Sequence, residues 1–295
     1  MYVRLRFSAG FIRPAAKDNP KMRGKLPQEC AFAESRQPKA DSHLMPRNFK
    51  LILAYDGTDF CGWQVQPDRV TIQGSLADAI ERVTGERVLP QGSGRTDAGV
   101  HALAQAASFA LESPIPSPNL LTALNQTLPI SVRVLSVEDV AADFHARHSA
   151  KSKLYEYRIY RGCTCPPFLA RYVHHHPYPL NEDAMQRAAA FVIGKHDFTS
   201  FAAVDPERGK DDQPLDNVRT IFSSSWQREG ELFVYRVHGD GFLHHMVRNL
   251  VGTFLLVGKG SFQPDAIPGM IQSRQRSAAG PTAPASGLFL VRVEY

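Results

Sequence analysis

Cysteine is scarce. Cys30, Cys61, Cys163 and Cys165 are all the chain has in 295 residues, and Cys163-Thr164-Cys165 is spaced too tightly for a usual zinc knuckle or redox pair. A disulfide scaffold and a cysteine metal centre are excluded, and the four read as ordinary cytosolic thiols. Long apolar runs are missing as well: the longest, Thr253 to Val257, is short and flanked by glycines, far below the length of a membrane-spanning helix. The reading is a soluble protein with no membrane association. The third shortage is a charge excess in the body of the chain. The net charge is +5, yet residues 1–47 hold ten of the 34 Lys and Arg against four of the 29 Asp and Glu, leaving 24 basic and 25 acidic residues beyond them. Any attraction to a polyanion must come from a local patch.

What is present is enough for a sizeable core. With 43% hydrophobic residues, a chain of this length is expected to hold about two domains. Residues 1–47 are rich in Pro, Lys, Arg and small polar residues without periodicity, and are expected to be a disordered basic tail or the product of a mis-set start with Met45 as the true one. A transit peptide over Met1 to Lys17 fits less well, because Pro14 interrupts it and no amphipathic stripe is evident. The two domains are expected over 48–147 and 148–295.

From Phe49 the chain alternates, with Phe49, Leu51, Leu53 and Tyr55 on one face, and reads as a strand ending at Asp56-Gly57. Thr71 then caps a helix with Ile72, Leu76, Ile80 and Val83 at helical spacing, stopped by Gly85. A short strand near 87–89, a strand over 105–111, a helix opened by Ser117-Pro118 and a strand over 132–140 complete a βαββαβ order. The second half repeats it: a strand over 152–160, a helix from the Asn181 cap to Gly194, a hairpin of 218–227 with 232–239, a helix over 242–257, a short helix over 265–273 and a last strand over 288–295. The fold class is α+β. Two ferredoxin-like βαββαβ halves are expected to share a broad, mainly antiparallel sheet, with helices on one face and a central cleft where the halves meet.

Gly92-Ser93-Gly94-Arg95-Thr96-Asp97-Ala98-Gly99-Val100-His101 is the most informative stretch. Small residues around Asp97 let the backbone turn tightly and let a large partner approach closely. The same composition also makes a plain solvated turn. Between His145 and His176, Arg147, Lys151, Lys153, Arg158, Arg161 and Arg171 interleave with Tyr155, Tyr157, Tyr160 and Tyr172 against one acid, Glu156. Cations that neutralise phosphates beside rings that stack on bases are what RNA contact uses, though a half-exposed charged strand has the same look. His244 and His245 are adjacent, so on a helix they point to different faces and make no zinc pair; structural or RNA-contacting roles are expected. Arg248 lies one turn beyond His244. His174-His175-His176 reads as a polar loop, 204–216 as an exposed non-catalytic loop, Trp63 as a packing anchor, and Asp240 as a cap for the helix expected to start at Phe242.

Taken together, the residues resemble the tRNA pseudouridine synthase A family. The resemblance is carried by Tyr55-Asp56-Gly57 with Gly62-Trp63-Gln64, by Gly94 through His101, by Phe144-His145-Ala146-Arg147, by Tyr155-Glu156-Tyr157, by Asp197 through Phe201 and by Phe242 through Asn249, in order over 48–295. It implies a cytoplasmic isomerase that converts uridine to pseudouridine at positions 38, 39 and 40 of the tRNA anticodon arm, working as a homodimer with no cofactor or metal. It further implies that Asp97 is the nucleophile, that Arg248 pairs with it, that Tyr155 contacts the target base and that Arg95 holds the flipped nucleotide. His101 and His245 join them as expected substrate contacts.

Those roles agree with elementary chemistry. Breaking an N-glycosidic bond without a leaving-group acid calls for an ionised carboxylate beside the sugar or the pyrimidine, and an arginine partner favours the ionised form of a carboxylate in a closed pocket. A catalytically silent RNA-binding protein does not need a carboxylate facing a polyanion. A hydrolase would need a general acid or metal cluster that the sequence does not supply.

Overall fold

The alternating segment at the start of the folded region forms β1 (Arg47–Tyr55), with Phe49, Leu51, Leu53 and Tyr55 buried and the intervening residues half-buried. It opens a computed structural model that describes residues 45–203 and 216–295. The expected basic tail up to residue 44, Cys30, and the expected loop from 204 to 215 lie outside the described residues. α1 (Ile72–Thr84) follows. The Thr71 hydroxyl accepts the Gly74 N–H at its start, and Gly85, at φ 78°, ends it in the left-handed region that suits glycine. Then come β2 (Gln91–Gly92), β3 (His101–Leu111), α2 (Ser117–Thr127) and β4 (Val132–Val140). Two boundaries differ from the sequence reading. The second strand is at Gln91–Gly92 and not 87–89, because Pro90 has no N–H for a ladder and its carbonyl is taken by Gln73 Nε2 at 2.9 Å. β3 starts four residues earlier than 105, so His101 is a strand residue.

The second half runs β5 (Ser152–Tyr160), β6 (His174–His175), α3 (Glu182–Ala190), β7 (Gly194–Asp197), β8 (Val218–Glu229), β9 (Leu232–Gly239), α4 (Met246–Gly258), α5 (Ile267–Ser273) and β10 (Leu288–Glu294). Asn181 caps α3 as expected, its side chain accepting the Ala184 N–H. The helix stops at Ala190, however, and the residues expected to carry it to Gly194 lead instead into β7. The first two residues of the histidine run form a strand rather than a loop: β6 pairs in parallel with Ile159 and Tyr160 of β5. α4 begins at Met246 rather than Phe242, because His245 sits at φ 58° and a left-handed residue cannot continue a right-handed helix. Asp240 caps nothing there; its carboxylate accepts the Thr220 N–H at 3.0 Å.

The ten strands among the described residues join one sheet in the order β4-β1-β3-β10-β5-β9-β8-β7, with β2 beside β3 and β6 beside β5. Within each half the order is the same and every main-path pairing is antiparallel: β4-β1-β3 followed by β2, and β10-β5-β9 followed by β8. The halves meet through one short parallel pairing, Phe289 with His101 and Leu290 with Ala102. That junction places the loop between β2 and β3 near the middle of β5 and the start of α4. No helix among the described residues is long and apolar enough to cross a membrane.

Candidate active site

The loop that carries Asp97 is held from three sides. From below, Ser93 Oγ donates to Gln105 Oε1 at 2.6 Å, and Gln105 Nε2 donates to Gly94 O at 2.9 Å, so one buried strand amide fixes both ends of a dipeptide. From the second half, Lys153 Nζ reaches Ser93 O at 2.7 Å. From β1 and the segment after it, the Tyr55 hydroxyl is 2.8 Å from Thr96 Oγ1, and the Trp63 N–H donates to Thr96 O at 2.9 Å. Gly62, at φ 87°, passes so close beneath that a Cβ there would lie 2.7 Å from Thr96 O. With its neighbours tied to the scaffold this way, Asp97 is displayed on a fixed platform rather than on a free turn.

Arg248 is its partner. Nη1 donates to Asp97 Oδ2 at 2.7 Å while Nε donates to Ala283 O at 2.8 Å, so the guanidinium is pinned by a carbonyl and aimed at the carboxylate. Both side chains are mostly buried, 15% and 18% exposed, which strengthens the pair relative to one in open water. Both histidines also face Asp97. His244 Nε2 lies 3.7 Å from Oδ1 and His245 Nε2 lies 3.4 Å from Oδ2, their rings 4.0 Å apart. The expectation that they diverge fails because both precede the helix. Burial of His245 favours its uncharged imidazole; Asp97 opposes this, and His244, Arg248 and Arg276 reinforce it, leaving the pKa below the ordinary histidine value. Asp97, His244 and His245 offer three atoms near enough to share a cation. Oδ2 already receives the Arg248 guanidinium, and a metal ion would be pressed against that fixed positive charge.

Around this centre lies a cleft of about 640 Å³. Its lining is mixed: Trp63, Val100, Tyr155, Phe242, Leu243 and Leu288 supply apolar surface, and Arg69, Arg95, Arg147 and Lys153 are the cations against Asp97, the single carboxylate among the described lining residues. Tyr155 is buried and meets the Phe242 ring edge-on at 5.0 Å. Burial first, then the neighbouring Tyr55 and Asp97, push its hydroxyl well above the usual phenol range. Burial, with Arg147 and Arg219 nearby, lowers the Lys153 ammonium to about 8. Arg95 Nε donates to Gln64 Oε1 at 3.2 Å from the rim. Trp63 is a packing residue as expected, buried with its indole against Gly92.

The structure thus brings Asp97, Arg248, Tyr155, Arg95 and His245 together and leaves His101 out. His101 is buried at the junction of the halves, accepts the Gly57 N–H at Nδ1, contacts Arg171 O through Nε2 and stacks on Phe289 at 4.7 Å. A substrate cannot reach a ring enclosed like that. The basic, tyrosine-rich stretch also divides. Arg147, Lys153 and Tyr155 line the cleft, whereas Tyr157 is a core residue and Arg158 pairs with Glu156. His244, expected in a structural or RNA-contacting role, joins the site beside Asp97, and Gln105 completes it without a strong signal in the sequence. The only hint for Gln105 is a polar residue inside a strand of small apolar ones.

A sequence profile of the family described as tRNA pseudouridine synthase matches residues 51–149 and 188–295. The chain is 50% identical over 250 residues to a tRNA pseudouridine synthase A of Solibacter usitatus (strain Ellin6076), covering 84% of this chain and 100% of the relative. Similar proteins of the same name occur in Moorella thermoacetica (strain ATCC 39073 / JCM 9320), at 46% identity over 83% of this chain and 98% of the relative, and in Caldicellulosiruptor saccharolyticus (strain ATCC 43494 / DSM 8903 / Tp8T 6331), at 43% over 84% and 100%. A likeness that runs through both halves and spans the relatives nearly end to end is a likeness of the whole architecture, and the chain belongs to the tRNA pseudouridine synthase family.

Proposed function

We propose that this chain isomerises uridine to pseudouridine in tRNA, with Asp97 as nucleophile and Arg248 as its ion-pair partner. The observation that carries the reading is the 2.7 Å contact between them, beside a cleft whose other charged lining residues are cations. A polyanionic strand is drawn to the rim by Arg69, Arg95 and Arg147 and then meets one carboxylate that a guanidinium holds in place. Presenting a base to it means flipping a nucleotide out of its stack at a cost of roughly a few kcal/mol, offset by phosphate contacts and stacking. Arg95 holds the extruded nucleotide, and Tyr155 provides a flat wall for the uracil ring. Attack by Asp97 at C1′ or at C6 uses the same carboxylate. By likeness to the family we extend the proposal to uridines 38, 39 and 40 of the anticodon arm and to a homodimer acting in the cytoplasm.

The test is release of tritium from tRNA labelled at uracil C5. Wild type is expected to release it and Asp97→Ala to release none while still binding tRNA. Release that survives the substitution refutes the nucleophile assignment, and tRNA binding without release by the wild type points to a silent RNA-binding protein.

A further inference from the structure

Arg248 is aimed by a backbone atom, the Ala283 carbonyl, and that atom has to be held in turn. Ala283 ends a segment, 276–283, that follows α5 and packs on α4 backbone to backbone. A Cβ on Gly252 would collide with Pro281 O, and one on Gly280 would lie 2.8 Å from the Thr253 Cα. The last residue of the segment makes a reciprocal pair with Arg248: the Ala283 N–H donates to Arg248 O at 3.1 Å, and Arg248 Nε donates to Ala283 O.

Polar side chains fix the register of this contact. Asn249, fully buried and next to Arg248 on α4, accepts two donors on one oxygen, Arg276 Nη2 at 2.9 Å and the Thr282 hydroxyl at 2.7 Å, while its Nδ2 donates to Phe201 O at 2.7 Å. One turn on, Thr253 accepts the Gly280 N–H at 2.8 Å and donates to Asn249 O at 2.7 Å. Arg276 bridges the two sides. Its Nη1 donates to Gly280 O at 2.9 Å while Nη2 holds Asn249, and its longer contacts, to Ala279 O and Thr282 Oγ1, are neutral as well. The charge of this half-buried guanidinium meets no carboxylate among those partners; what its planar fork supplies is a fixed angle between several acceptors. Resting on the reading above, we propose that Arg276 is a positioning residue of the uridine isomerisation: by clamping Gly280 O and Asn249 Oδ1 together it seats the 276–283 segment on α4, so that the Ala283 carbonyl keeps the Arg248 guanidinium on Asp97. Arg276 also bears on His245 through its charge. A lysine in its place preserves that charge and loses the clamp.

The experiment is single-turnover tritium release from tRNA labelled at uracil C5, with enzyme varied in excess, which separates the maximal rate from the half-saturating concentration. Arg276→Lys can hold only one of the two acceptors at a time. Well below its melting transition it is expected to lower the maximal rate about tenfold or more, with the half-saturating concentration within about threefold of wild type. In an Arg248→Lys background the fork that the clamp aims is already gone, so the same change should cost less than about twofold. A second variant, Thr282→Val, removes only the hydroxyl that donates to Asn249. It should lower the maximal rate about threefold and lose its effect in the same background, and it decides the matter if Arg276→Lys does not fold. A maximal rate for Arg276→Lys within about twofold of wild type overturns the proposal, as does an equal loss with and without Arg248→Lys, or a loss carried by the half-saturating concentration. A wild type that releases no tritium overturns the pseudouridine synthase reading and this proposal with it, an outcome distinct from losses confined to the variants.

Discussion

Arg248 does two things with one planar group: Nε reads the Ala283 carbonyl and Nη1 reads Asp97, so the direction of the ion pair is set by a backbone atom 35 residues away in sequence. Lysine has the charge without the fork. It can satisfy one acceptor at a time, and its ammonium keeps no fixed angle to the carboxylate. Arg248→Lys is therefore expected to keep the chain folded and tRNA affinity within about threefold, while kcat falls about 10²-fold, the usual consequence of losing one aligned donor at a reacting centre. Steady-state kinetics separating kcat from KM check this. A loss expressed mainly in KM would mean that Arg248 holds RNA and does not orient Asp97.

The elements supply the platform, and Gly62 shows how closely they fit. The segment after β1 folds under the Asp97 loop so that the Trp63 N–H can reach Thr96 O, and this approach leaves no room for a Cβ at position 62. Gly62→Ala would place a methyl 2.7 Å from Thr96 O and force a left-handed φ on alanine. Strain of about 1–3 kcal/mol is expected, felt both as lowered thermal stability and as a displaced carboxylate. Turnover should drop more than stability alone explains when measured well below the melting transition. A variant that is less stable yet fully active would show that the loop holds its geometry without this contact. Legibility in the sequence divides along the same line between local and distant causes. α1 could be read because Thr71 and Gly85 mark its ends through their own side chains and φ angles, and β4 because its bounds are set by turns. The start of α4 could not be, since Phe242 to His245 have ordinary helical composition and the carboxylate that faces His245, Asp97, is distant in sequence. Asp97, Arg248, Tyr155 and Arg95 were legible from a family pattern that encodes such distant contacts. His101 is an expected substrate contact, but the residues that enclose it come from both halves and leave no trace near it in sequence.

At the scale of the whole molecule, two similar half-sheets are joined by a parallel pairing of two residues each, and His101 is the polar group buried in that seam. Nδ1 accepts from the Gly57 N–H, and the carbonyl of Arg171, from the opposite half, accepts from Nε2. Both bonds are made by the neutral ring. Protonation would put a hydrogen at Nδ1 in competition with the Gly57 N–H, with Asp56 Oδ1, 3.2 Å away, as its acceptor. Burial is the largest influence and lowers the His101 pKa, with the nearby Asp56, the Arg171 carbonyl and the Ser286 backbone only partly opposing it. The folded pKa thus lies below the unfolded value of about 6.5. In the interval between them the unfolded chain binds more protons than the folded one, so stability falls as pH drops from about 6.5 through the folded value and is flat above. His101→Asn keeps an acceptor for Gly57 but cannot titrate. It should cost about 1–3 kcal/mol at neutral pH through the lost Arg171 bond, and its stability should decline less between pH 7 and pH 4.5 than that of wild type. Urea melts across that range check it. His176, buried and shifted down to about 4, titrates in both proteins and cancels in the comparison. Parallel curves for wild type and variant would mean that the seam between the halves does not depend on the charge state of this ring.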